Sequence, residues 1–497
     1  MAKKVKQQEL SGAQDLYNFL FEACNIIRGP VSQDNFKDYI TPLLYYKRIS
    51  DVYDEEVEEA LIASNGDEEY ASLPEQHRFV IPDGCHWQDI RERSENLGSA
   101  IVEAMRKIEI ANPDTLYGVL SIFSAQKWTD KKVLSDERIR NLIEHLSKRR
   151  LGNNDYPADL MGDAYEVLLK KFADDSKAQA GEFYTPRSVV RLLVRILDPQ
   201  PGETVYDPAC GSGGMLIEAI RYMHSDDLCC GSIFGQEKNV VNAAIAKMNL
   251  FLHGASDFNI MQGDTLRNPK ILQNDALARF DCVIANPPFS LEKWGAKEWS
   301  TDKYGRNLWG TPSDSCGDYA WIQHMVCSMS FGKGRMAVVM PQGVLFRGNQ
   351  DGEIRKKLVL SDLVEAVVTL GDKLFYGTQL SPCFLILRRT KPADRSARIL
   401  MIDGSRILTP KRAQNELSDA DVDRLYELYA NYADVEDFAK VVPLADIEAK
   451  DFSLSPNRYV EYHREEVKPY AEVKAEFLAA YETLKRCEAR FVELINQ

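Results

Sequence analysis

Apolar residues recur at steps of three and four along the first third of the chain. The clearest stripes contain Leu16, Phe19, Leu20, Ala23, Cys24 and Ile27, followed by Tyr39, Leu43, Leu44 and Ile49. This spacing places apolar side chains on one face of a helix. Gly29 and Pro30 interrupt the pattern, so one helix is expected to end there. We therefore predict an all-helical N-terminal domain over residues 1–160.

The pattern changes after residue 154, where short β-rich runs begin to alternate with helical stretches. The runs are 204–206, 233–236, 259–261, 282–285, 336–340, 363–369 and 384–387, and helices are predicted at 214–223 and 240–252. Strands and helices alternating at this spacing indicate βαβ units, and hence a mostly parallel sheet covered on both faces. This α/β domain is assigned to residues 161–400.

The last stretch of the chain carries a heptad seam. Its apolar positions are Tyr470, Val473, Phe477, Ala480, Leu484, Cys487, Phe491 and Leu494. They predict a helix that begins after Pro469, within a C-terminal helical tail at 461–497. The helix either packs on its own chain or docks on another subunit, and we favour docking. Residues 401–460 are assigned to a connecting region.

Composition limits the class of protein. The chain has 497 residues with 44% hydrophobic and 27% charged residues, which is enough for two or three folded domains. Its net charge of −14 opposes nonspecific attraction to nucleic acid, so such binding must be local or supplied by a partner. No apolar run reaches the roughly 18 residues of a membrane span, and the start lacks the apolar core of a signal peptide. We expect a cytoplasmic protein without a membrane contact.

The ten cysteines are scattered and form no CxxC pair. Neither a disulfide framework nor a zinc site is indicated, and no metal is expected.

A glycine-rich loop follows the first predicted strand. Asp207 ends the strand, and the loop contains Gly211, Ser212, Gly213 and Gly214 before a helix begins. Glycines permit positive φ and leave room for a ligand against the main chain. The loop matches neither GxGxxG nor GxxxxGK[ST], so no pyrophosphate cradle is predicted. An acid before the glycines suits a ligand with an ammonium group, such as S-adenosylmethionine.

Two further carboxylates extend this candidate cofactor site. Glu237 ends the next strand, where it can accept hydrogen bonds from both hydroxyls of a ribose. Asp264 follows the third strand and could accept from an adenine amino group. The alternative is a structural β-turn-α loop with incidental acids.

The strand at 282–285 leads into Asn286, Pro287, Pro288 and Phe289. Two consecutive prolines make the turn rigid and remove backbone donors. The Asn286 side-chain oxygen and the Pro287 carbonyl remain as acceptors for a planar NH₂ group, and Phe289 offers a flat face to an extruded base. This tetrapeptide predicts methyl transfer to a conjugated amino nitrogen, with rate gained by positioning and desolvation.

At these residues the chain resembles amino-group DNA methyltransferases. A segment upstream of the glycine loop is similar to the GxFxTP motif that, in that family, closes over the methionine part of the cofactor. It contains Glu182, Phe183, Tyr184, Thr185, Pro186 and Arg187. With FEACNIIRGP and YITPLLYYKRISD near the N-terminus, nearly the whole chain resembles the modification subunit of type I restriction-modification systems.

The resemblance implies a Rossmann-like, seven-stranded class I methyltransferase sheet with one antiparallel strand, preceded by a helical domain. It implies that Glu182 to Arg187, Asp207, Ser212 to Gly214, Glu237 and Asp264 hold S-adenosylmethionine. Asn286, Pro287 and Phe289 would hold the target adenine. In a later motif, either Phe375 or Tyr376 would contact the flipped base.

The long connection at 290–318 carries basic residues interleaved with aromatic ones. These are Lys293, Trp294, Lys297, Trp299, Lys303, Tyr304, Arg306 and Trp309. Such a loop either contacts nucleic acid or packs its tryptophans on the domain.

The family implies that DNA is the substrate and that a separate specificity subunit chooses the site. It further implies two copies of the modification subunit per specificity subunit, and a motor-nuclease subunit that joins for cleavage. About 70 residues separate the predicted sheet from the tail helix, which is little for independent base reading. Two alternatives remain: an amino-methyltransferase that acts on RNA or on protein glutamine, and a non-catalytic scaffold with a methylase fold. The choice of adenine N6 over cytosine N4 rests on the resemblance.

Overall fold

The structure is a computed structural model that describes residues 2–116, 118–120, 128–175, 185–223, 232–255, 257–375, 381–411, 414–463 and 470–495. Of the candidate site residues, Glu182, Phe183, Tyr184 and Tyr376 lie outside the described residues.

The N-terminal part is helical, as the apolar stripes predict. Its helices are α1 Ala2–Ile27, α2 Lys37–Ala63, α3 Glu68–Ala71, α4 Trp87–Glu92, α5 Leu97–Ala111, α6 Pro113–Leu116, α7 Asp136–Leu146 and α8 Ala158–Asp175. Leu16, Leu20 and Leu43 are fully buried in the core that these helices share. Between α1 and α2 the chain turns at Gly29, where φ is 103°, a value that favours glycine.

The second part combines helices with strands. The helices are α9 Arg187–Leu197, α10 Gly214–Met223, α11 Val240–Leu252, α12 Ala296–Trp299, α13 Asp318–Ser328, α14 Asn349–Leu360, α15 Asp419–Asn431, α16 Leu444–Glu448 and α17 Tyr470–Ile495. The strands are β1 Val205–Asp207, β2 Ile233–Glu237, β3 Phe258–Gln262, β4 Leu272–Gln273, β5 Ala276–Leu277, β6 Cys282–Ala285, β7 Arg335–Pro341, β8 Val364–Leu370, β9 Pro382–Arg388, β10 Arg398–Gly404 and β11 Ala439–Pro443.

Nine strands form one sheet in the order β11-β10-β8-β9-β7-β6-β1-β2-β3. Strand β9 is antiparallel to both of its neighbours, β7 and β8, and the strands from β7 to β3 run parallel. The seven strands from β8 to β3 are therefore the expected class I arrangement with one antiparallel strand. Strand β10, parallel to β8, and strand β11, antiparallel to β10, extend the sheet. The predicted boundary at residue 400 falls inside β10, and part of the region 401–460 belongs to the sheet.

The sheet buries both of its faces. In β6 all four residues are buried, and successive side chains join opposite cores. Cys282 and Ile284 pack with α9, α10 and α15, whereas Val283 and Ala285 pack with α13 and α14. The alternation follows from the two-residue period of a strand, and burial on both faces explains why its sequence is continuously apolar.

Helix α11 belongs to two cores at once. Ile245 and Phe251 pack in the core of the N-terminal helices, whereas Ala246 and Leu250 pack against the sheet. The N-terminal helices therefore rest directly on a helix that borders the glycine-rich loop.

Helix α17 begins at Tyr470, as the sequence predicts, and its seam is exposed. The exposed fractions are 66% for Phe477, 54% for Leu484 and 64% for Phe491. No side chain of α17 whose burial is described is buried. Packing on its own chain is therefore not observed for this helix within the described residues.

Candidate active site

Three neighbouring parallel strands deliver the predicted polar residues to one edge of the sheet. Strand β1 pairs with β2 on one side and with β6 on the other, in parallel on both sides. Asp207 ends β1, Glu237 ends β2 and Asn286 follows β6. Carboxyl ends of parallel strands meet at a common edge, which is where α/β proteins bind their ligands.

The glycine-rich loop turns tightly between β1 and α10. Gly211 and Gly213 have φ values of 54° and 84°, so side chains at these positions would be strained. Gly213 N donates a hydrogen bond of 2.8 Å to the Cys210 carbonyl, which closes the turn. The backbone conformation thus requires the glycines at these two positions.

Glu237 holds this loop from the neighbouring strand. Its carboxylate accepts hydrogen bonds from Gly211 N at 3.0 Å and from Asn239 N at 2.6 Å. Burial raises the pKa of the Glu237 carboxyl above its ordinary value. Each carboxylate oxygen has two acceptor positions, so the group can still accept from a ligand.

Asp207 is only 2% exposed and accepts a hydrogen bond of 2.9 Å from Ala209 N. Burial raises the pKa of the Asp207 carboxyl to about 8, and the nearby Glu237 charge acts in the same direction. The site therefore holds an acid that a bound cation would stabilise in its ionised form.

A cavity opens at this edge of the sheet, where α/β proteins bind small molecules. It is lined by Glu166, Thr185, Arg187, Val190, Asp207, Ala209, Cys210, Gly211, Ser212, Gly214, Met215, Glu218, Asn249 and Asn286. The cavity brings together seven of the candidate residues, namely Thr185, Arg187, Asp207, Gly211, Ser212, Gly214 and Asn286. Of the other described candidates, Pro186, Gly213, Glu237, Asp264, Pro287, Pro288 and Phe289 are not among its lining residues.

The side chain of Asn286 is fixed by a residue far away in sequence. Asn286 Nδ2 donates a hydrogen bond of 2.9 Å to Thr185 Oγ1. Asn286 Oδ1 is buried and has no hydrogen-bond partner within the described residues. The wall of the cavity thus contains an acceptor that a ligand donor can satisfy.

Arg187 anchors the segment that carries Thr185. Its guanidinium donates to Glu166 and, at 2.9 Å, to Asp163, and both acids lie on α8. Asp163 also accepts from Arg221 at 2.7 Å. The predicted ligand-binding arginine is therefore engaged with two carboxylates of the chain itself.

The predicted catalytic turn, Asn286 to Phe289, is supported from behind. The rings of Phe289 and Phe375 lie 6.4 Å apart with an interplanar angle of 53°. Phe375 is buried, so it supports Phe289 in this structure. Ser290 N donates at 2.7 Å to Asp318, a buried acid that also pairs with Arg347.

Asp264 lies at the same edge but is engaged elsewhere. Its carboxylate pairs with Lys238 at 2.9 Å and accepts from Arg267 N at 3.2 Å. A role toward an adenine amino group therefore requires acceptor positions that these two contacts leave free.

The loop 290–318 packs its largest side chains on the domain. Trp294 and Trp299 are each 2% exposed, with ring centroids 5.4 Å apart. Arg306 is equally buried and donates to Asp302 and to the carbonyls of two residues after β3. The packing interpretation holds for these residues. The exposed lysines of the loop are Lys293, Lys297 and Lys303.

Sequence reasoning did not single out Glu166, Glu218 or Asn249. Glu218 and Asn249 are polar residues on the predominantly apolar helices α10 and α11, a signal that could have drawn attention to them. Glu166 lies on α8, and only the tertiary packing reveals its contact with Arg187.

The described residues form neither a cluster suited to a metal ion nor a helix suited to cross a membrane. Within the described ranges, no group of three or more His, Cys, Asp or Glu side chains is arranged to hold a metal ion. In the same part of the chain, no helix combines the length and apolar character needed to cross a membrane.

Comparison with known families gives two matches. The model of the N-6 DNA Methylase family matches residues 157–468, and that of the HsdM N-terminal domain matches residues 16–146. The first match alone covers more than half of the chain.

Proteins similar to this chain are named as methylase or methyltransferase subunits of type I restriction systems. The Type I restriction enzyme MjaVIII methylase subunit of Methanocaldococcus jannaschii is 31% identical over 92% of this chain and 79% of its own length. The MjaVII methylase subunit of the same organism is 32% identical over 84% of this chain and 73% of its own length. A crystal structure of a type I restriction-modification system methyltransferase subunit from Streptococcus thermophilus has 26% identity and a TM-score of 0.76. It covers 90% of this chain and 100% of that one.

Proposed function

Because the chain belongs to the N-6 DNA methylase family, we propose that it methylates N6 of adenine in DNA as the modification subunit of a type I restriction-modification complex. The observation that carries this proposal is the unpartnered Asn286 side-chain oxygen in the wall of the cavity that the glycine-rich loop forms. Neither RNA nor protein glutamine as substrate, nor a non-catalytic scaffold, is supported by the relatives.

The cavity suits S-adenosylmethionine as the methyl donor. When bound, this cofactor supplies a methyl group on a sulfonium centre that an amino nitrogen can attack. Asp207 and Glu218 provide buried or half-buried carboxyls toward a cation, and Gly211 and Gly214 leave the main chain open. We assign cofactor binding to Asp207, to the lining residues of the glycine-rich loop and to Glu237, with Glu182, Phe183 and Tyr184 as further candidates from the sequence and Asp264 as a peripheral one.

The catalytic turn acts on the adenine by positioning it. Asn286 Oδ1 and the Pro287 carbonyl accept the two hydrogens of the amino group, which draws the nitrogen toward tetrahedral geometry and directs its lone pair outward. Phe289 stacks on the extruded base, and Pro288 keeps the turn rigid. Alignment of the reacting groups accounts for the rate, without a covalent intermediate on the protein.

The exposed seam of α17 supports assembly with a partner. Phe477, Leu484 and Phe491 present an apolar stripe that isolated soluble proteins rarely leave uncovered. We propose that a specificity subunit covers this stripe and chooses the DNA site. A second modification subunit and a motor-nuclease subunit complete the assembly. The exposed Lys293, Lys297 and Lys303 are candidates for phosphate contacts.

The direct test is transfer of a tritiated methyl group from S-adenosylmethionine. DNA, RNA and protein are offered to the chain, with and without its co-expressed specificity subunit. We expect label in DNA, with full rate only when the specificity subunit is present. Asn286→Ala should abolish transfer and retain cofactor binding. Label in RNA or protein instead of DNA contradicts the proposal, and full-rate methylation of a defined site by the chain alone contradicts the role of the partner.

A further inference from the structure

Asn249 is a buried amide at the wall of the cavity. It lies on α11, is 1% exposed and lines the cavity. Its Nδ2 donates a hydrogen bond of 3.0 Å to the carbonyl of Ser212 in the glycine-rich loop. Its Oδ1 is buried without a hydrogen-bond partner among the residues that the structure describes.

The contact with Ser212 determines which way the amide faces. A backbone carbonyl is an acceptor only, so the Asn249 nitrogen must face it and the oxygen must take the other position. A buried acceptor without a partner destabilises the folded state. The unpartnered oxygen is explained if a ligand supplies the missing donor.

Glu218 provides a second unsatisfied acceptor in the same cavity wall. It lies on α10, one turn after Gly214, and is half-buried. The described residues offer it no hydrogen bond or ion pair, because the nearby Arg187 and Arg221 donate to acids of α8. Burial raises the pKa of the Glu218 carboxyl, although the charges of Arg221 and Arg187 act in the opposite direction.

We propose that Asn249 Oδ1 and the Glu218 carboxylate form a subsite for a primary ammonium group, that of the amino-acid part of S-adenosylmethionine. An ammonium group has three donors and no acceptor, which matches two acceptors without donors. A ligand carboxylate would be repelled by the same pair. The inference rests on the proposed function and names residues that neither the motifs nor the resemblance include.

The test is calorimetric binding to the full chain with three probes. S-adenosylhomocysteine carries the ammonium group, its desamino analogue lacks only that group, and 5′-methylthioadenosine lacks the whole amino-acid part. We expect wild type to bind S-adenosylhomocysteine at least tenfold more tightly than the desamino analogue. Asn249→Ala and Glu218→Gln should each reduce that ratio at least threefold and leave 5′-methylthioadenosine affinity within twofold. The controls Asn242→Ala, on the same helix as Asn249, and Glu353→Gln, an exposed glutamate, should leave every affinity unchanged.

Three results overturn the subsite. If Asn249→Ala lowers the affinity for all three probes equally, Asn249 only supports the glycine-rich loop. An unchanged ratio in both variants would place the ammonium group elsewhere. Failure of wild type to bind any of the three probes, or S-adenosylmethionine itself, would overturn the cofactor of the proposed function as well. In the first two cases the proposed function stands. Thermal melting of each variant verifies that it is folded.

Discussion

Thr185 Oγ1 accepts a hydrogen bond of 2.9 Å from Asn286 Nδ2, across 101 positions of sequence. The contact joins the segment similar to the GxFxTP motif to the catalytic turn. Because the amide nitrogen is held by Thr185, the oxygen of Asn286 is the atom left to accept from a substrate amino group. We propose that Thr185 is a positioning residue for the asparagine that is predicted to be catalytic.

Replacing Thr185 should separate positioning from cofactor binding. Thr185→Val keeps the shape and removes the acceptor, so kcat should fall at least tenfold while the affinity for S-adenosylhomocysteine stays within twofold. Thr185→Ser restores the hydroxyl and should recover most of kcat. Steady-state kinetics measures kcat, and calorimetry measures the affinity for S-adenosylhomocysteine. A variant that loses cofactor affinity but keeps kcat at saturation would make Thr185 a cofactor ligand instead.

The buried Asp207 predicts a pH dependence of stability. In the folded chain its pKa is raised to about 8, whereas its ordinary value is 3.8. The folded state therefore binds the extra proton between these values, and this group's contribution to the free energy of unfolding falls as pH rises from about 4 to 8. The contribution of Asp207 to the free energy of unfolding changes by at most about 1.4 kcal/mol per pH unit. Above pH 8 the contribution is constant.

Asp207→Asn cannot ionise, so it should remove this slope. The melting temperature of the variant minus that of wild type should increase between pH 6 and pH 8 in ligand-free protein. The exposed Asp275→Asn variant should follow wild type throughout. A pH-independent difference for Asp207→Asn would show that its carboxyl is already ionised at pH 6.

Asp51, which forms a buried ion pair within α2, also holds that helix to the segment before α8. Asp51 is 5% exposed, pairs with Lys47 and accepts from Leu151 N at 2.6 Å. Asp51→Ala leaves a buried lysine without its partner and should cost about 3–5 kcal/mol. Glu58→Ala, which breaks the exposed pair with Arg150, should cost less than about 1 kcal/mol. Thermal melting that ranks the two variants equally would refute this role of Asp51.

A charge on the seam of α17 should disrupt assembly without unfolding the chain. Leu484→Asp places a carboxylate among exposed apolar residues, so affinity for the co-expressed specificity subunit should fall at least tenfold. Ala479→Asp adds the same charge off the seam and should retain the complex. Both variants should melt as wild type does. Complex formation is measured by analytical ultracentrifugation, and equal retention by both variants would place the docking surface elsewhere.

The sequence predicts most of the sheet because each early strand is a short apolar run between helical stretches. Predicted helices 214–223 and 240–252 coincide with α10 and α11. Strand β10 is as apolar as the others, but it follows no crossover helix of the kind that marked the earlier units. Strand β11 is short and lies at the edge of the sheet, and only two of its five residues are buried. Its sequence therefore shows little of the hydrophobic pattern that predicts a strand.

The sequence alone also predicts the local motifs of the site, but it does not predict the contacts between them. Glycine positions and the proline pair are local features of one loop each. The contacts of Thr185 with Asn286 and of Asn249 with Ser212 depend on how helices and loops rotate when they pack, which periodicity does not determine. For the same reason, Trp294 and Trp299 could be read equally well as binding or as packing residues.

We propose that Asn286 presents an adenine amino group to the cofactor cavity. Mass spectrometry of nucleosides from DNA incubated with S-adenosylmethionine, the chain and its specificity subunit tests it most directly. We expect N6-methyldeoxyadenosine with wild type, and none with an Asn286→Ala variant that still binds S-adenosylhomocysteine. N4-methyldeoxycytidine as the product, or wild-type amounts of N6-methyldeoxyadenosine from the Asn286→Ala variant, would contradict it.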